Sequence, residues 1–149
     1  YIYLATKLED IKRVWQYHGA EHKTIHCYEN GEELTVENVR KYSTKHPRCG
    51  TSFLFLVMII SIIMFSFLGW HHPLINALLR ILLIPLVAGV AYEILKFSGR
   101  HTDWFIMKLV SAPGMVFQYL TTKEPDDSQI EVALVALKNV IVDDDSDKW

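Results

Sequence analysis

The sequence is poor in the residues that staple small secreted domains. It has two cysteines, Cys27 and Cys49, and nothing else of a disulfide framework. It has no strong charge of either sign. The formal net charge is -2 with bases interleaved among acids, which gives no argument for nucleic-acid binding, and no nucleic-acid partner is expected. No cleavable signal pattern and no internal repeat is visible. Apolar residues are unevenly placed, concentrated between Thr51 and Leu95. Half of the 149 residues are apolar and the mean hydropathy is positive, which is unusual for a soluble domain of one-domain length. The chain opens on YIYLA without a methionine, like the tail of an apolar segment, and is expected to be part of a longer polypeptide.

The apolar part predicts two membrane spans. Thr51 to Gly69 carries no charge, and about 20 apolar residues cross ~30 Å of hydrocarbon. Trp70-His71-His72-Pro73 makes a turn, and Leu74 to Phe97 forms the second span, with Asn76, Arg80, Pro85, Gly89 and Glu93 inside it. Arg80 is near enough to the turn to snorkel outward, and Pro85 should kink the helix. The short turn makes the spans an antiparallel hairpin, so the segments before Thr51 and after Phe97 share one side. Lys41, Lys45, Arg48, Lys96, Arg100 and Lys108 crowd that side and the turn has no base, which makes it cytoplasmic. The expected fold is an all-α membrane protein: a transmembrane helical hairpin flanked by cytoplasmic and interfacial helices. Its parts are a cytoplasmic juxtamembrane helix and His/Cys loop (1–50), the hairpin (51–97, with spans 51–69 and 74–97), and interfacial and amphipathic helices with an acidic tail (98–149). The bilayer is the expected partner, with a second copy or another membrane protein as a candidate.

Outside the hairpin, apolar spacing predicts a helix from Thr6 to Cys27, in which Gly19 hints at close packing. Asn30-Gly31 marks a turn, Thr35 caps a short helix from Val36 to Tyr42, and His46-Pro47 should be extended. Thr102 or Asp103 caps an interfacial helix that Pro113-Gly114 ends. Ser128 and Glu131 read as a capping box opening a helix to Val142, with Ile130, Ala133, Leu134, Leu137 and Ile141 on one stripe. Asp143 to Asp147 is an acidic tail expected to be disordered.

Most of the chemistry-bearing residues lie just ahead of the first span. On a helix at ~100° per residue, His18, His22 and His26 fall within about 80° of one another, and Glu21 flanks them. Neutral imidazoles suit zinc or another divalent transition metal. His18-Gly19-Ala20-Glu21-His22 fits H-x-x-E-H, in which two histidines hold zinc and the glutamate is the general base for a metal-bound water. Glu93 could return along the hairpin as a further ligand, or pair with Lys96 or Arg100. His46-Pro47-Arg48-Cys49-Gly50 adds an imidazole and a thiol, giving a His22/His26/His46/Cys49 set suited to closed structural zinc. Cys49 could instead be a reactive thiolate beside Arg48. Cys27 falls on the opposite face from His22 and His26. His101 and Asp103 follow the second span and are candidate supporting groups, whereas His71 and His72 lie on the other side of the membrane.

The phrases YHGAEHKTIHCYE, LTVENVRKYSTKHPRCGTSF and EPDDSQIEVALVALK resemble the YqhQ-like family of bacterial membrane proteins, over nearly the whole chain. That family is a domain of unknown function, sometimes described as predicted metal-dependent enzymes. The resemblance implies a membrane protein with a metal, and it implies a C-terminal portion, because a GGQAVIEGVMMR-like phrase of the family's N-terminal part is absent here.

Two function classes stand on these residues. One is a membrane-embedded metal-dependent hydrolase, with Glu21 as general base and metal ligands drawn from His18, His22, His26, His46, Cys49 and Glu93. The other is a non-enzymatic membrane scaffold or assembly factor whose zinc is structural. A transporter or channel subunit is the weaker third, because the spans carry few polar groups.

Overall fold

The structure is a computed structural model that describes residues 2–101 and 103–141. Thr102 and the acidic tail from 142 onward, including the expected disordered stretch, lie outside the described residues. Among the described residues every regular element is helical, and the chain divides into two compact units, residues 1–46 with 115–149 and residues 47–114.

The first unit is built on α2 (Glu9–Glu29), preceded by the short α1 (Ile2–Ala5) and followed by α3 (Val36–Arg40). Glu9 and Asp10 sit in the first turn of α2, where they complement the helix dipole. Gly31, at φ 69°, occupies the left-handed region at the Asn30-Gly31 turn. Thr35 caps α3 by accepting from the Asn38 N–H at 3.3 Å. In the later part of this unit α7 (Asp127–Lys138) packs on α2, and Ala20, Cys27, Val39, Ile130, Ala133 and Leu134 form the core. Burying a side chain such as Ile130 stabilises by roughly 1.5–3 kcal/mol. Gly19 is a packing necessity, because a Cβ there would run into the Lys123 carbonyl oxygen. The same backbone stretch is tied to α2 by the Lys123 N–H donating to the Trp15 carbonyl at 2.9 Å.

The cap of α7 differs from the expected one. Asp126 accepts from the Gln129 N–H at 3.0 Å while the Gln129 side chain takes up the Asp126 N–H at 2.9 Å. Ser128 instead donates to Asp126 Oδ1 at 2.6 Å. Both residues are good caps, and here Asp126 Oδ1 accepts from the Ser128 hydroxyl and the Gln129 N–H together.

The second unit holds α4 (Gly50–Ser66) and α5 (Pro73–Arg100), which pack against each other through Leu56 and Ile60 on one and Val87, Ala91 and Leu95 on the other. Gly69, at φ 70°, allows the tight connection, His72 Nδ1 accepts from the Leu74 N–H, and Pro73 occupies the first turn of α5. α5 has 28 residues and is long and apolar enough to cross a membrane; α4, at 17 residues, spans about 25 Å and is apolar throughout. α5 continues as one helix through Pro85. Arg80 stays within the unit, 5.6 Å from the centre of the Phe65 ring, which is a cation–π contact.

Helix α6 (Phe105–Thr121) corrects a second expectation, since Pro113-Gly114 lies inside it rather than at its end. Gly114 faces Ser52 with its missing Cβ, and Ser111 and Ser98 share a hydrogen bond at 2.8 Å one turn earlier. This packing outweighs the proline's local preference to stop a helix.

Candidate metal centre

The histidines of α2 form the row that the four-residue spacing implies, and His46 joins it. The ring centres of His18 and His22 are 4.4 Å apart, those of His22 and His46 5.9 Å, and those of His26 and His46 4.5 Å. A backbone carbonyl fixes each α2 imidazole. His18 Nδ1 donates to the Thr121 carbonyl at 2.8 Å, His22 Nδ1 to that of Thr44 at 2.7 Å, and His26 Nε2 to that of Lys45 at 2.8 Å. A carbonyl only accepts, so these nitrogens carry the protons. In the neutral ring the lone pair then sits on Nε2 of His18 and His22 and on Nδ1 of His26. An N–H to a carbonyl is also what orients a histidine that binds a metal through its other nitrogen.

His46 is positioned through its backbone. Its N–H donates to Gln118 Oε1 at 2.8 Å, and its carbonyl accepts from Gln118 Nε2 at 2.9 Å. Gln118 is fully buried in α6, so this two-point clamp fixes the residue just before Pro47. The side chain of His46, itself buried, places Nε2 3.1 Å from Glu29 Oε2. His26, Glu29 and His46 each offer a ligand atom, and all three atoms lie within 4.8 Å of one another. Metal bonds of 2.0–2.1 Å around a tetrahedral zinc put ligand atoms about 3.3 Å apart, close to the His46–Glu29 separation. Two imidazoles and a carboxylate also form the His₂Glu donor set of hydrolytic zinc sites.

Electrostatics favour the ligand form. Burial holds His26 below its ordinary value, with the neighbouring His46 and His22 acting in the same direction, against the Lys45 carbonyl bond and Glu29. A neutral imidazole keeps the lone pair a metal needs. On the far side of α2, burial pushes the Cys27 thiol up, which suits a core residue rather than a ligand.

The other residues singled out in the sequence have local roles of their own. Glu21 is exposed on α2, and among the described residues it is not part of the clustered ligand atoms. Cys49 caps α4 in the second unit, its Sγ taking up the Thr51 N–H and hydroxyl at 3.5 and 3.3 Å. Neither cysteine forms a disulfide. Glu93 lies on α5 among apolar residues, with no ion pair to Lys96 or Arg100 among the described residues. His101 closes α5 with Nδ1 on the Phe97 carbonyl at 3.0 Å and its ring between Phe97 and Trp104. Glu29 and Gln118 were not visible as site residues in the sequence. Glu29 had a signal, standing three residues after His26 on the same helix.

These features define a class: an all-helical protein with an apolar helix long enough to cross a membrane, and a histidine–glutamate grouping able to hold a metal ion. The chain belongs to the DUF1385 family, described as proteins of unknown function, whose profile matches residues 1–143. It is 40% identical over 141 residues to "Uncharacterized protein YqhQ" of Bacillus subtilis (strain 168), which covers 95% of this chain and 44% of that protein. The chain thus spans less than half the length of this curated relative. No solved structure matches.

Proposed function

We propose that this chain is a multi-pass membrane metalloprotein of the cell membrane, in which His26, Glu29 and His46 hold a divalent transition metal, zinc by donor type. The observation that carries this reading is the convergence of three ligand atoms within 4.8 Å, from α2 and from a loop clamped by Gln118. In the proposed arrangement α4 and α5 cross the bilayer as a hairpin. The lysines and arginines near the helix ends away from the turn favour a cytoplasmic side for the histidine-bearing unit. At 17 residues α4 stands at the lower limit for a spanning helix.

Three protein donors leave a tetrahedral ion one open position, which favours a metal-dependent hydrolase. A bound zinc ion there would supply a water acidic enough to act as nucleophile near neutral pH. His18 and His22, with protons fixed on Nδ1, are proposed as neighbouring ligands or acid–base groups. Cys49 is proposed as a further ligand on its spacing after His46. Glu21 is the general base proposed from the H-x-x-E-H pattern. Its exposure outside the cluster favours the second reading, a membrane scaffold or assembly factor with structural zinc. In that reading the outward-facing Val132 and Val135 of α7 offer a partner surface.

Elemental analysis of the purified protein tests the metal. One equivalent of zinc or a similar ion is expected in the parent, and Glu29→Gln or His46→Ala should release it. A metal-free parent would remove the proposal. Glu21→Gln then separates the readings, since the hydrolase loses function with its metal retained and the scaffold loses nothing.

A further inference from the structure

The second unit contains a groove that the metal centre does not use. It has a volume of about 620 Å³, within the range of small-molecule sites, and follows one face of α5 from Pro85 through Gly89 and Glu93 to Phe97, with Met107 of α6 on its edge. Gly89 opens the floor, because a Cβ there would meet nothing within 4 Å. The lining is hydrocarbon except for one carboxylate, that of Glu93, which has no cationic partner among the described residues.

The inference rests on the reading of α5 as a membrane span. Its 28 residues are ~42 Å long against ~30 Å of hydrocarbon, so about 6 Å protrudes at each end if the overhang is shared. Glu93 lies about 10 Å along the axis before Arg100, which puts it roughly 4–5 Å inside the hydrocarbon boundary. An ionised carboxylate at that depth is costly unless a cation or donor meets it. A second copy of the same helix would bring Glu93 against Glu93, a like-charge contact that disfavours self-association through this face. Lys96 and Arg100 follow toward the helix end, where headgroup phosphates are the natural partners of bases.

We infer that the groove binds a long-chain amphiphile bearing a primary ammonium group, with the chain along Val90 and Leu86 and the ammonium paired with Glu93. The site takes one hydrocarbon chain. It selects by charge at the head, and the floor at Gly89 sets its depth.

The test uses the protein reconstituted in phosphatidylcholine vesicles, with spin-labelled long-chain probes ending in an amine, a hydroxyl or a carboxylate. Motionally restricted probe is read by electron paramagnetic resonance. The amine should be enriched about tenfold over the alcohol, with the acid weakest. Glu93→Gln should bring the amine down to the level of the alcohol, and Gly89→Leu should displace all three. Melting and metal content should stay unchanged in both variants. Equal restriction of the three probes overturns the inference, as does an amine excess that survives Glu93→Gln. Loss of metal in Glu93→Gln, or disulfide-linked dimers of Val90→Cys, overturns it too, by assigning the groove to a ligand set or to a second copy. Protein that carbonate strips from the vesicles defeats the membrane reading itself, whereas protein that stays bound without selecting the amine defeats only this site.

Discussion

The two units of this chain invert each other. The first buries polar groups, with His22, Lys23, Thr24, Thr44, His46, Gln118 and Gln129 all nearly inaccessible, and each of these interiors is organised by hydrogen bonds to backbone. Lys23 is the extreme case, its ammonium held by the Arg40 carbonyl at 3.0 Å and by Glu124. The second unit turns its apolar side chains outward, with Leu54, Ile62, Leu78, Leu82 and Phe105 exposed, and packs small or medium residues such as Ala91 and Val87 within. Soluble monomers rarely expose apolar patches of such extent. The contrast teaches that the polar interior of the first unit gathers the histidine row, while the second unit carries the chain's apolar surface.

The contrast can be broken from either side. The largest effect is expected on metal binding: His26→Ala combined with His46→Ala should abolish bound metal, and chelation of the parent should lower the melting of the first unit, followed by elemental analysis and circular dichroism. Next, Leu82→Asp places a charge on the outward face of α5 and should cost about 2.5–3.5 kcal/mol of insertion. A vesicle flotation assay should then show weaker membrane association with metal content intact. Gln118→Ala removes both hydrogen bonds to the His46 backbone, and should destabilise the first unit by about 1–3 kcal/mol in denaturant unfolding. Gly19→Ala, driven into the Lys123 carbonyl, should cost a similar amount.

The smallest effect is one of pH. Hydrogen bonds from Ser128 and Gln129 hold the Asp126 carboxyl below its ordinary value, and the Arg40 guanidinium does the same for Asp127. Because the folded values are lowered, this stabilisation is complete above the ordinary value of 3.8 and is lost as pH falls through the folded ones. Melting of the first unit should therefore decline on acidification in that range, and Asp127→Asn should flatten the dependence.

Much of this was legible in the sequence because it is periodic. The helical class, the apolar length of α5 and the shared face of His18, His22 and His26 all follow from spacing along one element. What escaped depends on residues distant in the chain. Gln118 reaches His46 across 72 positions, and no local rule announces that a buried amide will clamp a loop. Glu29 escaped for a different reason: the H-x-x-E-H pattern drew attention to Glu21, on another face of the same helix. Pro113 was misjudged as a terminator because its local cost was weighed without the packing of Gly114 that offsets it.

The burial of Cys27 gives the first unit a built-in clock. Its sulfur is fully enclosed, set against the Glu32 and Glu33 carbonyls of the turn after α2, and burial pushes its thiol up, so an alkylating reagent reaches it only when this core opens. The labelling rate of this one atom therefore counts the openings of that core, and slowing of that rate on addition of zinc would measure how firmly the metal closes the histidine row on the opposite face.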